Sequence, residues 1–407
     1  MCMIRIMGKG VSVILVAASI FGLPLGALSG QTRSVVEGNT SFALDLFSQL
    51  KASPGNLFFS PYSVSTALAM TYAGARGETE RQMARVLHFD KEQPQLHSAF
   101  GELQRQLAEA GKQKGLELSI ANALWAQKGR PFLPAFLGTA KGAYQANINQ
   151  ADFRTAAEAA RAEINRWVEG RTRDKIQEIL PAGSVSEVTG LVLANALYFK
   201  GVWAKPFRKS DTSTQPFHLT MTSQVDVPLM HRFDELGYME NSDSQAVELP
   251  YGNGALSLVV LLPRQVEGCG KLENQLSPAL LSRSLGQMGQ RNVEIFLPRF
   301  KLELAVKLNS TLAQMGMPSA FGPQADFSGM DSTKSRYLSG VFHKAWGEVN
   351  EEGTEAAAAT AVVLNHALAV KPLAPSVFRA DHPFIFLIRD TRSGSLLFLG
   401  RLADPAH

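Results

Sequence analysis

Residues 351–360 read EEGTEAAAAT, and the chain runs on as AVVLNHALAVKPLAPSV to residue 377. By propensity the first part is a helix, with Thr354 as cap, Glu355 in the first turn and alanines behind it. Read at period two, Thr354, Ala356, Ala358 and Thr360 share one face, and Glu355, Ala357, Ala359 and Ala361 share the other. Side chains this small can be buried between two existing strands at little steric or desolvation cost. Gly353 in front of them lets the backbone swing. Loop, helix and inserted strand are all open to this segment. A switch needs that property, since a bistable element is one sequence with two acceptable packings.

The rest of the chain sets the context. It has 407 residues, 45% apolar and 19% charged, which is ordinary for a globular protein. Length alone suggests two or three domains. The net charge is only +4, and no Lys/Arg block marks a nucleic-acid or anionic-lipid surface. Arg5 and Lys9 precede an apolar stretch over residues 11–28, broken by Gly22, Pro24 and Gly26 and followed by small residues around Ala27 and Ser29. A single membrane anchor competes with a signal peptide here; the breaks and small residues favour a cleaved signal over residues 1–30. The expected mature chain is 31–407, secreted to the extracellular space, or to the periplasm in a bacterium, with no membrane association after cleavage. The two cysteines are Cys2, inside that signal, and Cys269. No internal disulfide is then available, and Cys269 reads as a solvent-facing bystander.

Helical patterns dominate the first half. Phe42, Ala43, Leu46, Phe47 and Leu50 line one face, Pro61 opens a second helix, and Thr155 with Glu158 reads as a capping box ahead of an Ile164, Trp167, Val168 stripe. After about residue 190 come short, nearly continuous apolar runs: LVLANALYF (191–199), LSLVVLLP (256–263), VEIFLP (293–298), FIFLI (384–388) and LLFLG (396–400). Such runs suit strands covered on both faces. The class is α+β, and no linker separates two self-sufficient halves, so one large domain is expected.

Local catalytic motifs are missing. There is no G-x-S-x-G, H-E-x-x-H, complete Walker pattern or C-x-x-C, and no two of the eight histidines are spaced i, i+4. No cofactor and no metal are expected. Asn195 interrupts the run 191–199, where a buried amide must be hydrogen-bonded or cost roughly 1–3 kcal/mol. It is either a satisfied core residue or a polar lock between neighbouring elements. Asn39-Thr40-Ser41 and Asn309-Ser310-Thr311 have the glycosylation pattern.

Seven blocks, in order, resemble one family. They are NLFFSPYSVSTALAMTYAGARGET (56–79), NALYFKGVWAKPF (195–207), VELPYGN (247–253), LPRFKLE (297–303), ADFSGM (325–330), HKAWGEVNEEGTEAAAAT (343–360) and DHPFIFLIRD with GSLLFLGRL near the end. Together they make the chain similar to the serpins from about residue 41 to 405. The resemblance implies a serpin fold of about nine helices and three β-sheets, with an exposed reactive-centre loop over about 351–378. It implies a suicide inhibitor rather than an enzyme. A serine or cysteine protease cuts the loop, and the cut loop inserts into the main sheet while the acyl-enzyme is still attached. A monomer with a protease partner is expected. A non-inhibitory serpin-fold binding or chaperone protein is the alternative, and a hydrolase with an unseen triad is a third.

The resemblance carries over residue by residue. Glu351, Glu352, Gly353, Thr354, Glu355, Ala356, Ala357, Ala358 and Ala359 match the hinge of inhibitory members. Ser60, Ser63, Asn195 and His343 match the polar shutter where the sheet opens. Trp203 matches the breach at the top of the sheet, and Arg299 matches a base that pairs with the hinge glutamate, here Glu351, as an exposed pair worth only about 0–1 kcal/mol. Counting fourteen positions from Gly353 puts the reactive bond at Ala367–Leu368, with His366, Leu368 or Val370 as specificity residue if the frame shifts. Small or apolar candidates suit an elastase-like or chymotrypsin-like target. Trp346 stands where many members carry a smaller residue.

Overall fold

The computed structural model describes residues 28–113, 115–129, 131–354 and 375–407. Among them, ten helices form: α1 (Gly30–Leu50), α2 (Pro61–Tyr72), α3 (Gly77–Val86), α4 (Gln93–Gly111), α5 (Pro134–Tyr144), α6 (Phe153–Arg171), α7 (Cys269–Gln275), α8 (Pro278–Gly286), α9 (Asn309–Met315) and α10 (Ser328–Asp331). The strands are β1 (Leu57–Phe59), β2 (Leu116–Gln127), β3 (Asn147–Ala151), β4 (Leu191–Val202), β5 (Ser213–His218), β6 (Gln224–Glu240), β7 (Ser244–Tyr251) and β8 (Leu256–Pro263). They continue with β9 (Gly289–Pro298), β10 (Phe300–Lys307), β11 (Leu338–Asn350), β12 (Gly353–Thr354), β13 (Ser376–Arg379), β14 (Phe384–Asp390) and β15 (Leu396–Leu402). All five apolar runs singled out in the sequence lie in strands.

A six-stranded sheet has the order β10-β11-β12-β4-β2-β3. A nine-stranded network runs β1-β15-β14-β8-β7-β6-β9-β13, with β5 beside β6. The resemblance implied three sheets. Hydrogen bonding joins two of them because β6 is 17 residues long and serves both, pairing β5 at one end and β7 at the other.

Strand β4 lies at the centre of the six-stranded sheet and shows why its sequence is apolar without alternation. Leu191, Leu193, Leu197 and Phe199 face the main core, while Val192, Ala194, Ala196 and Tyr198 face a second, smaller core under α6. A strand covered on both sides needs apolar residues at both parities. The α6 lid caps itself differently from the expected Thr155–Glu158 box: the Asp152 carboxylate accepts the Thr155 N–H at 3.1 Å, and Glu158 pairs with Arg161 instead. Asp152 meets the cap geometry three residues ahead of its donor, so the box is displaced by one turn. Helix α2 starts as expected, with Pro61 in its first turn and the Ser60 hydroxyl accepting the Ser63 N–H at 3.1 Å.

One surface expectation is corrected, and the two asparagines of the glycosylation pattern are placed. Cys269 is buried, and burial pushes its thiol up to about 12. Asn39 is also buried, its side-chain oxygen accepting from the Ser65 hydroxyl at 2.6 Å. The Asn309 side chain donates to Ser339 O at 3.1 Å and accepts from Val341 N at 2.9 Å. Asn39 is thus enclosed by the fold, and Asn309 is bonded into it through both its side-chain oxygen and its nitrogen.

Candidate functional site: the seam between β4 and β11

Strands β11 and β4 pair in parallel from Leu338 opposite Leu191 to Trp346 opposite Tyr198. Above that point they part, and the two residues of β12 fill the gap. Gly353 pairs with Asn350 of β11 and Val202 of β4, and Thr354 pairs with Val349 and Gly201. The start of the hinge therefore sits inside the sheet. The predicted loop 351–378 is shorter than expected at both ends: Glu351 to Thr354 are a turn and a strand, and β13 already begins at Ser376. Glu355, Ala356, Ala357, Ala358, Ala359 and the Ala367–Leu368 bond lie outside the described residues, as does the chain up to residue 27.

Gly353 adopts φ 146°, and a Cβ there would lie 1.9 Å from Gly201 O. Only glycine fits that close approach. Thr354 is 2% exposed, and its hydroxyl is 2.8 Å from the Tyr251 hydroxyl. Tyr251 stacks on Trp203 with centroids 4.5 Å apart and planes at 9°. The indole N–H of Trp203 donates to Asn350 O at 2.9 Å, and the backbone N–H groups of Trp203 and Phe207 donate to Glu352 O and Glu351 O. Trp203 thus ties down the turn that delivers the hinge.

The Glu351–Arg299 pair is not the exposed pair the sequence suggested. The Glu351 side chain is 3% exposed and that of Arg299 is 42% exposed. Burial acts to raise the Glu351 carboxyl, but hydrogen bonds from Arg299 and from the Thr212 hydroxyl (2.6 Å) outweigh it and hold the group below the usual range. Glu352 pairs with Lys209 at 3.0 Å.

Halfway down the seam the four expected shutter residues meet. His343 is opposite Asn195 across the seam. His343 Nε2 accepts the Ser60 backbone N–H at 3.1 Å, so its Nδ1 is the protonated nitrogen and donates to Asn195 Oδ1. Asn195 Nδ2 donates to the Ser63 hydroxyl at 2.5 Å and to Asn122 Oδ1. This chain of donors requires a neutral imidazole, and burial depresses His343 to about 3. Asn195 is buried and hydrogen-bonded through both its side-chain oxygen and its side-chain nitrogen.

Asn122, Thr212 and Tyr251 were missed in the sequence. Asn122 left a trace there: IANALW (120–125) repeats the pattern of LANALY (193–198), and the two asparagines face each other in register across β2 and β4. Nothing local flagged Thr212, and Tyr251 was not singled out within the block 247–253; the fold brings both to the hinge from distant parts of the chain. Among the described residues no group of three His, Cys, Asp or Glu side chains could hold a metal ion.

A family model described as Serpin (serine protease inhibitor) matches residues 37–405. The chain is 43% identical over 377 residues to the leukocyte elastase inhibitor of Xenopus tropicalis, covering 90% of this chain and 98% of that one. It is 41% identical over 379 residues to the leukocyte elastase inhibitor of Homo sapiens, with the same coverage. Uncleaved ovalbumin superposes with TM-score 0.83 at 32% identity, covering 91% of this chain and all of that one. Human thyroxine-binding globulin superposes with TM-score 0.84 at 30% identity, covering 92% and 99%. The β12 segment, the seam it enters and the polar cluster across that seam thus stand in a molecule alike in sequence and fold along nearly its whole length, and this chain belongs to the serpin family.

Proposed function

We propose that this serpin inhibits a serine protease as a suicide substrate, with an elastase-like or chymotrypsin-like enzyme as target. The observation that carries the reading is the small-residue hinge already threaded, by two residues, into the top of a seam between parallel strands. The protease serine would attack the Ala367 carbonyl, Leu368 would leave as a new amine, and Ala367 would stay as the acyl ester. The freed strand would then extend β12 down the seam and carry the enzyme with it.

The register of β12 supports this geometry. Thr354 faces Gly201 on one side and Val349 on the other. Each further residue steps one position back along both neighbours, so residues 355–364 would run opposite residues 200–191 of β4. Thr354, Ala356, Ala358, Thr360, Val362 and Leu364 would then share the face that Leu197 and Phe199 present to the main core. That face holds no charge and only two hydroxyls. Thr360 would arrive level with Asn195 and His343, where a hydroxyl can replace the hydrogen bond the two make to each other. The β4 border ends at Leu191, opposite residue 364, so the cut has to fall at or beyond that residue for the strand to fill the seam. A bond at Ala367–Leu368 meets this condition.

Target class rests on the small or apolar side chains near the bond and on relatives named for leukocyte elastase. Hinge, seam and polar cluster come from one chain, which fits action as a monomer. Secretion rests on the N-terminal apolar segment; no helix among the described residues is long and apolar enough to cross a membrane. A binding role is the second reading, favoured by the likeness to a globulin whose structure holds thyroxine. Incubation with elastase decides between them. A covalent complex stable in SDS, and release of a fragment with the mass of residues 368–407, are expected. Cleavage with no complex would overturn the inhibitor reading.

A further inference from the structure

Trp346 is the one conspicuous hinge-block residue that the mechanism above leaves without a task. It is 5% exposed, lies on β11 and faces the small core under α6. Its register partner across the seam is Tyr198 of β4. The two rings lie 5.8 Å apart, tilted by 41°. This is the last directly paired position before the strands part around β12, so the aromatic pair sits at the point where further opening begins. The Lys175 ammonium, from the connector that follows α6, lies 5.0 Å from the indole centroid, and Lys301 of β10 lies 5.6 Å away. One side chain thus links both borders of the seam, the neighbouring strand and the connector covering the sheet. Beside it lies a cleft of about 470 Å³ lined by Lys175, Gln177, Lys301, Glu303 and Lys344.

We infer that Trp346 and Tyr198 form an aromatic clasp that sets how fast the seam opens below the hinge, with Trp346 as a positioning residue of the inhibitory reaction. Paired strands lie about 4.8 Å apart, so admitting a strand between them roughly doubles the spacing and breaks the ring contact. In the β12 register, residue 357 would enter opposite both Tyr198 and Trp346. An alanine methyl is small enough to be sandwiched between the two rings, so the clasp would close again over Ala357. The pair therefore opposes the first step of insertion and favours its product.

The inference rests on the insertion mechanism proposed above, and the experiment separates the two. Loop insertion after cleavage is timed by stopped-flow fluorescence for the wild type, Trp346→Val, Tyr198→Val and the double variant, with Trp346→Phe as the conservative substitution. Loss of one aromatic pair changes a rate roughly three- to tenfold. Each valine variant is expected to open faster by that factor, the double variant no faster than either single one, and Trp346→Phe close to the wild type. A residue that merely fills space would give additive effects, and additivity overturns the clasp, as does an unchanged rate in Trp346→Val. If a valine variant fails to fold, the difference spectrum between wild type and Trp346→Phe still reports the indole. Its emission is expected to shift on cleavage, and no shift overturns the clasp. A wild type that never inserts its loop overturns the mechanism beneath it.

Discussion

Strand β4 has two long borders built in different ways. Toward β2 it pairs antiparallel through eleven consecutive positions, from Leu116 opposite Gly201 to Ala126 opposite Leu191. Toward β11 it pairs in parallel through eight, with a register shift near Leu338, and its upper end is already wedged apart by β12. Parallel hydrogen bonds are slanted and slightly weaker per residue. The β11 border also carries a buried histidine bonded across it. In the proposed mechanism the β11 border is the line along which the sheet would part, while the β2 border would stay intact.

The largest expected effect comes from blocking entry at the wedge. Thr354→Arg would place a guanidinium against Tyr251 where the threonine is 2% exposed, at a cost of about 3–5 kcal/mol for an uncompensated buried charge. The protein should become a substrate, with the SDS-stable complex falling to roughly a tenth or less of the wild-type yield; unchanged yield would show that the wedge is not the entry point.

Next, the two facing asparagines compare the borders directly. Asn195 reaches His343 across the β11 border, whereas Asn122 reaches only Asn195 and Ser63 on the β2 side. Asn195→Ala strands the His343 donor and should lower native stability by about 1–3 kcal/mol and speed loop insertion. Asn122→Ala should destabilise without speeding insertion. Equal acceleration in both would erase the distinction between the borders.

Acid should act on the β11 border through His343. Its unfolded value lies near 6.5 and its folded value near 3, so the unfolded chain takes up the proton first. Stability is then full above about pH 6.5 and falls as pH drops toward 3, by up to about 1.4 kcal/mol per pH unit for one histidine. His97, depressed to about 4 by burial and the nearby Arg76, adds a slope of the same sign from elsewhere in the molecule. His343→Gln should therefore remove part of the acid sensitivity and leave the His97 part, as measured by thermal melts from pH 7 to 4.

The smallest effect is expected at Glu351→Gln. The amide keeps one hydrogen bond to Arg299 but loses the charge, and Arg299 is 42% exposed, so the change should be about 1 kcal/mol or less. Its signature is a small reduction in the salt dependence of the melting temperature.

How much of this was legible beforehand follows from the range of each interaction. Apolar runs at both parities announced β4, β8, β14 and β15, because burial on two faces leaves its mark in consecutive residues. Ser60, Ser63, Asn195 and His343 were named through family resemblance, and Asn195 also through its polar intrusion into an apolar run. Asn122 was readable in principle from the repeated ANAL pattern, but only pairing across strands shows the two copies facing each other. The buried state of Glu351 and the hydrogen bond of Asn39 to Ser65 depend on residues far away in sequence, which no local pattern encodes. The capping of α6 by Asp152 rather than Thr155 turned on a boundary shift of a single turn.

The central claim is that the intact molecule stops short of its most stable arrangement, and that cleavage lets the chain beyond Thr354 extend β12. Differential scanning calorimetry on intact and elastase-nicked protein tests it most directly. The account predicts that the nicked form melts higher by roughly 6 °C or more, the shift that about 5 kcal/mol gives a domain of this size. A nicked form that melts at or below the intact one would contradict it.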